Sequence, residues 1–327
     1  MMKVLLTGGS GFVGSHILDV LRARGLATVV LLRPTSNRRF LQSHLPATEV
    51  RAGSVGEPES LRHALADVTH VIHCAGRTRA TRSSEFYDTN HQGTRNVVEA
   101  VNVHGASVQR LVHISSLAVA GPATPSRPAQ EEDPPHPVSE YGKSKLAGEL
   151  EVPNRCRTPY TILRPPAVYG PRDSGFLPMF RAVKHHLLPR PSSKQMLSLV
   201  FVRDLAEATV RCLDNPVAAG KTYFVASGEL TTGRQMAAEI AEQMEAWTLP
   251  CPLPAAVLWP LCLALEAWSR FTRKPTLLNL QKYAELRAPG WVCDASRLQR
   301  ELGYTCGTSL QQGIAESLEW YRGERWL

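Results

Sequence analysis

Short apolar runs alternate with stretches of helical period through the first half of the chain. Val4–Leu6, Thr28–Leu32, Glu49–Ala52, Thr69–Cys74 and Arg110–Ile114 read as strands. Ser15–Arg24 and Ser60–Ala66 read as helices, and a longer helix carries Asn90-His-Gln-Gly-Thr-Arg-Asn96. Phe12, Ile17, Val20 and Leu21 supply the apolar side of the first helix. Strand–helix alternation over this length predicts an α/β chain with a parallel, doubly wound sheet. Ligands in such sheets sit at the carboxyl ends of the strands. Further on, the pattern predicts helices at Phe176–His186, Asp204–Leu213 and Thr232–Trp247, and strands at Leu197–Val202 and Thr222–Val225. No internal repeat or low-complexity segment interrupts it.

The turn after the first strand reads Thr7-Gly-Gly-Ser-Gly-Phe-Val-Gly14, with Gly8, Gly11 and Gly14 spaced by three. Between a strand and a helix this spacing has a physical reading. One glycine makes the turn, one lets backbone approach a pyrophosphate, and one lets the helix pack on the strand. The helix N-terminus then offers free N–H groups to phosphate. The second strand ends at Arg33, where many dinucleotide folds place an acid for the ribose hydroxyls. Arg33, Arg38 and Arg39 stand here instead, and no acid occurs from Gly25 to Ala47. Arginine suits a 2′-phosphate, so NADP(H) is the expected cofactor and NAD(H) the alternative. A solvated basic loop, or an Arg33 stacked on adenine, is the competing reading.

Composition narrows this only a little. The 327 residues are 43% hydrophobic and 20% charged, an ordinary globular balance. A net charge of +8 could suit nucleic acid, an anionic membrane or an anionic cofactor. The arginines are scattered without a long basic run, so the charge reads mainly as solvated surface and no nucleic-acid partner is expected. Seven dispersed cysteines without C-x-x-C argue against a disulfide framework or a zinc site, and no metal is expected. The chain starts directly in a strand, with no signal peptide ahead of it, and a cytoplasmic location is expected.

The fifth strand ends in Ser115-Ser116, and Tyr141-Gly-Lys-Ser-Lys145 follows after a proline-rich approach. Tyr and Lys four apart share a helix face. A cation beside a phenol lowers its pKa, which makes a proton donor or acceptor usable near neutrality. With His73-Cys-Ala-Gly76, Asn90, Gly93-Thr94 and Leu163-Arg-Pro-Pro-Ala-Val-Tyr-Gly-Pro-Arg172, the chain resembles an extended short-chain dehydrogenase/reductase over most of its length. The resemblance implies a Rossmann-type dinucleotide domain over residues 1–170, with 197–228 partly returning to it. Residues 171–327 would be mainly a smaller substrate domain. It implies Ser116, Tyr141 and Lys145 as catalytic residues, with Lys145 also on the nicotinamide ribose. Gly8, Gly11, Phe12, Val13, Gly14, Ala75, Gly76 and Asn90 would surround the cofactor, and Pro165 and Val168 would border the nicotinamide. Ser54 replaces the aspartate that many relatives use for the adenine amino group, which leaves the backbone at Val55 for that contact.

Two positions bear on substrate. Leu197 stands where nucleotide-sugar relatives carry an arginine for the diphosphate, and Ala120 replaces the epimerases' tyrosine. Val119-Ala-Gly-Pro122 resembles 3β-hydroxysteroid and sterol 4-carboxylate dehydrogenases. Residues 249–275 include an uncharged run, Leu253–Leu265, with Pro254, Trp259 and Pro260. That run is too short to span a bilayer. With Trp268, Phe271, Arg270, Arg273 and Lys274 it suits a peripheral membrane contact over 253–271, a core helix, or a lid. The expected activity is hydride transfer to or from a bulky apolar alcohol or ketone, with a sterol-type 3β-hydroxyl favoured. The alternatives are a nucleotide-sugar epimerase or dehydratase, a flavonoid-type ketone reductase, and a cofactor-binding regulator without turnover. The resemblance leaves a homodimer open.

Overall fold

A computed structural model describes residues 1–191, 195–253, 255–272, 276 and 280–327. The first half follows its hydrophobic pattern. It comprises β1 (Lys3–Thr7), α1 (Phe12–Ala23), β2 (Ala27–Leu32), β3 (Glu49–Ala52), α2 (Pro58–Ala64) and β4 (His70–His73). Then α3 (Ser84–Tyr87) runs through a π-helical turn at Asp88–Gln92 into α4 (Gly93–His104). β5 (Arg110–Ile114), α5 (Glu140–Arg155) and β6 (Tyr160–Arg164) complete this half. The single long helix expected around Asn90 therefore has a wide turn in its middle, and Asn90 lies buried there. Such wide turns recur at functional sites because they displace one residue from the helical ladder.

Seven strands form one parallel sheet in the order β10-β6-β5-β4-β1-β2-β3, with β10 at Lys221–Phe224. On one face Val4, Leu6, Val30, Ile72 and Val112 pack in a core with Ile17 and Leu21 of α1. On the other, Leu5, Val29, Val71 and Leu111 meet Leu61 of α2 and Val97 of α4. Both faces are covered, which is why these strands read as continuous apolar runs. The strand order reverses between β1 and β4, the place where such sheets open a crevice for ligand.

The second half begins with β7 (Ala167–Tyr169), α6 (Leu177–Lys184), β8 (Leu187–Pro191), β9 (Met196–Phe201) and α7 (Val202–Arg211). After β10 come β11 (Leu230–Thr232), α8 (Gly233–Gln243), β12 (Leu249–Leu253), α9 (Ala255–Thr272) and α10 (Leu280–Arg287). β13 (Gly290–Trp291), α11 (Ser296–Leu302) and α12 (Leu310–Gly323) close the chain. Within 197–228, α7 and β10 return to the main sheet, α7 through Leu205 and Ala208 in the same core as α1. β9 does not return. It is the centre of a second, smaller sheet with β7, β11 and β13. Within the stretch proposed for membrane contact, Pro254, Arg273 and Lys274 lie outside the described residues. Among the described residues no helix is long and apolar enough to cross a membrane. All seven cysteines are free thiols.

Candidate active site

The turn after β1 is built by close backbone approach. Gly8 has φ +74°, and a Cβ there would lie 2.6 Å from the Ala75 nitrogen at the end of β4. A Cβ on Gly14 would run into the Gly8 carbonyl. Thr7 holds the two strand ends together: its Oγ1 accepts from Ala75 N at 3.2 Å and shares a 2.8 Å hydrogen bond with His73 Nδ1. Gly11 caps α1 with no side-chain hydrogen bond, and the first turn carries no acid. The N–H groups at this end of a twelve-residue helix are therefore left for an anion. This cradle fits the pyrophosphate of a dinucleotide. Phe12 and Val13 are half-buried beside it, Phe12 edge-on to His16 and Val13 against the core.

At the end of β2, Arg33 is exposed on a tight turn in which its backbone N–H donates to Ser36 Oγ at 3.1 Å. The Arg33 and Arg38 guanidinium groups make no hydrogen bond or ion pair among the described residues. Arg39 differs. It pairs with Glu324 at 2.7 Å and lies over the Trp326 ring, so it points to the C-terminal end of the chain rather than to a ribose. Ser54 closes on α2 through Ser60, whose Oγ accepts from Ser54 N at 3.0 Å. The Val55 carbonyl accepts from Asn96 Nδ2 at 2.9 Å, which fixes the backbone there against α4.

The structure separates the two serines at the end of β5. Ser115 is buried and donates to the Glu149 carboxylate. Ser116 is half-buried, accepts from Ala118 N at 3.1 Å and stands within hydrogen-bond reach of the Tyr141 phenol. Ser139 caps α5 by accepting from Gly142 N at 3.2 Å, which sets Tyr141 in the first turn. Lys145 follows one turn later, buried, and its Nζ donates to the Ile114 carbonyl at 2.7 Å. Burial lowers Lys145 to about 8. The expected lowering of Tyr141 is not met. Burial raises its phenol, the Ser116 hydrogen bond opposes that, and the charge of Glu285 raises it further. The reason is desolvation, which disfavours phenolate and ammonium alike.

Asn90 works behind this group. Its Oδ1 accepts from Arg77 N at 2.7 Å, and its Nδ2 donates to Arg77 O at 3.0 Å and to Ser144 Oγ at 2.9 Å. It thus fixes the loop after Gly76 against α5. A Cβ on Gly76 would lie 3.4 Å from Asn90 Oδ1 and 3.9 Å from Lys145 Nζ, so Gly76 faces the same pocket. Pro165 accepts from Leu117 N at 2.8 Å, and Val168 is half-buried in β7 opposite Val200.

Three features were not read from the sequence. Arg164 forms a buried ion pair with Glu149 at 2.6 Å and donates to Glu131 O at 3.2 Å. A charge inside an apolar strand, with a glutamate four residues after Lys145, was the available signal. His73 and His113 stack at 5.2 Å beneath Lys145, and burial lowers both, His73 to about 3. The charge of Glu285 on α10 raises Tyr141 from the second half of the chain, an influence that local pattern does not carry.

Comparison with known proteins agrees with this geometry. Residues 4–226 match the NAD dependent epimerase/dehydratase family. The chain is 28% identical to the ceramide reductase of Caulobacter vibrioides over 326 residues, covering 99% of this chain and 96% of that one. It is 26% identical to sterol demethylase protein B of Methylococcus capsulatus, covering 98% of each. It superposes on the UDP-glucose 4-epimerase of Thermus thermophilus in complex with NAD with a TM-score of 0.78, at 26% identity, over 98% of this chain and 99% of that one.

Tyr141→Phe keeps the ring and removes the proton-transfer group. It should abolish turnover while cofactor affinity, measured by fluorescence titration, stays near that of the unaltered protein; near-normal turnover would remove Tyr141 from the chemistry. A second prediction concerns pH. Below about 8 Lys145 is protonated both folded and unfolded, and its burial cost is fully present. Between about 8 and the ordinary lysine value the unfolded chain binds more protons, so stability rises with pH. Relative to Lys145→Met, the unfolding free energy should therefore climb by about 3 kcal/mol across that window. Urea titrations in which the free-energy difference between the two chains stays the same at every pH would refute the burial argument.

Proposed function

Since the chain belongs to the NAD dependent epimerase/dehydratase family and is a nicotinamide-linked oxidoreductase by that membership, we propose that it is an NADP(H)-preferring dehydrogenase or reductase of a bulky apolar alcohol or ketone. The lipid-like case is favoured, with a sterol-type 3β-hydroxyl as its leading example. The observation that carries this reading is Leu197. Where an arginine holds the diphosphate of nucleotide-sugars in relatives, Leu197 packs half-buried against the apolar cluster of Tyr169, Leu199 and Phe201. The names of the ceramide reductase and sterol demethylase relatives support a lipid substrate. Ala120 contributes less directly than its sequence position suggests, because it is buried in a small cluster with Leu117 and Phe224.

The nicotinamide, when bound, supplies or takes the hydride. Ser116 donates a hydrogen bond to the substrate oxygen, where negative charge develops. Tyr141 gives the proton to that oxygen in reduction and takes it from the hydroxyl in oxidation. The Lys145 ammonium, on the same helix face, favours the phenolate at the moment it forms. Asn90 and the Glu149–Arg164 pair hold α5 so that these groups keep their aim.

Substrate choice is tested by turnover with sterols, 4-carboxysterols, long-chain keto-lipids, flavanones and nucleotide-sugars, each with NAD(H) and NADP(H). Turnover confined to apolar substrates is expected. Saturable calorimetric binding of a UDP- or GDP-sugar would turn the reading toward an epimerase. Cofactor choice is tested at Arg33, whose unpaired guanidinium suits a 2′-phosphate. A charge-assisted contact is worth roughly 1.5–3 kcal/mol, or about tenfold to a few hundredfold. Arg33→Ala should weaken NADP(H) by that factor and leave NAD(H) nearly unchanged. Equal weakening of both cofactors would mean that Arg33 stacks on the adenine.

A further inference from the structure

The helix α9 leaves its largest apolar side chains outside. Among its described side chains the buried and half-buried ones are Leu258, Cys262, Leu265, Glu266, Ser269 and Thr272, at spacings that make one helix face. That inward face thus mixes apolar and polar groups, and Leu280 N donates to Glu266 at 3.1 Å from α10. The opposite face presents Trp259, Leu261, Leu263, Trp268 and Phe271, with Trp268 60% and Phe271 83% exposed. Trp247 and Leu249, just ahead of the helix, are exposed as well. A helix in contact with water alone shows the reverse arrangement, and a continuous apolar surface of this kind marks an interaction site.

We propose that this face of α9 docks on a lipid bilayer bearing anionic headgroups. Three observations select that occupant. Tryptophan is the side chain most suited to the boundary of headgroup and acyl chain, and the three exposed tryptophans among the described residues all lie within 247–268. The sequence of this stretch is cationic: residues 255–287 hold five basic residues, Arg270, Arg273, Lys274, Lys282 and Arg287, against two acids, Glu266 and Glu285. Anionic lipid complements that charge. A second copy carries the same excess of basic residues and offers no such complement. The 18-residue helix then lies in the interface without crossing it. On its other side α9 packs on α10, whose Glu285 acts on Tyr141. The docked face is thus linked to the candidate site through α10, the helix that lies against α9 and carries Glu285.

The test uses the full chain and vesicles, with no turnover, so its outcome is independent of the substrate reading. Flotation should show binding to equimolar phosphatidylglycerol–phosphatidylcholine vesicles, weaker binding to phosphatidylcholine alone, and weakening by salt. Trp268→Glu with Phe271→Glu should reduce binding about tenfold or more, with the thermal midpoint retained because both side chains are exposed. Val103→Glu, on the exposed face of α4, should bind as the unaltered chain does. No binding to anionic vesicles, equal binding to neutral ones, or equal loss with Val103→Glu would each overturn the proposal. Light scattering that finds a dimer dissolved by the α9 double variant would overturn it in favour of a second copy.

Discussion

A buried ion pair holds the candidate site of this protein in place. Arg164, the last residue of β6, meets Glu149, one turn beyond Lys145 on α5, and both side chains are removed from water. Such a pair is a poor source of stability, because desolvating two charges cancels most of their attraction. Its use is geometric. Arg164 donates to both oxygens of Glu149, and Ser115 adds a third donor to the same carboxylate. A carboxylate held from two strand ends has little freedom to slide or turn, and α5 is fixed with it against β5 and β6. Ser115 is thereby committed to structure, and its neighbour Ser116 is the one turned toward Tyr141.

The same economy governs the crevice between β1 and β4. Thr7 and His73 tie the strand ends from the side, and Gly8 lets the backbone of one touch the backbone of the other. The buried layer continues through His73 to Thr94, whose hydroxyl shares a 3.0 Å hydrogen bond with the ring. Thr94 in turn donates to the Asn90 carbonyl at 2.7 Å. Asn90 then reaches Ser144 on α5 and the loop after Gly76. One chain of hydrogen bonds thus runs from the glycine turn after β1 to the helix that carries Tyr141 and Lys145, and a shift at either end must be felt along it.

The sheet half was legible because its signals are local. Glycines at a spacing of three and strands buried on both faces leave few other arrangements. Ser116, Tyr141 and Lys145 were legible through spacing and family resemblance together. The ion pair was not, since a pattern of apolar residues does not say which charge meets which. Arg39 was misread for a related reason: its partners, Glu324 and Trp326, lie almost the full length of the chain away. The wide turn at Asp88–Gln92 leaves the helical period nearly intact, so periodicity alone gave Asn90 as a helix residue and only the resemblance singled it out. In the second half the strands are short and pair out of order, and of the four in the smaller sheet β9 was read while β7, β11 and β13 were not.

Burial pushes Lys145 down to about 8 and Tyr141 up, so it moves both groups toward their neutral forms. Near neutral pH Lys145 is still mostly protonated, but its proton is held weakly enough to respond to any new charge. A negative group placed beside it strengthens its hold on the proton. The ammonium so fixed then lowers the cost of the phenolate on Tyr141, one turn away on the same face. A negative charge brought beside Lys145 would in this way also favour ionised Tyr141, by the ordinary reciprocity of coupled binding. Burial of both groups is what makes such coupling strong, because a charge acts further where water is excluded.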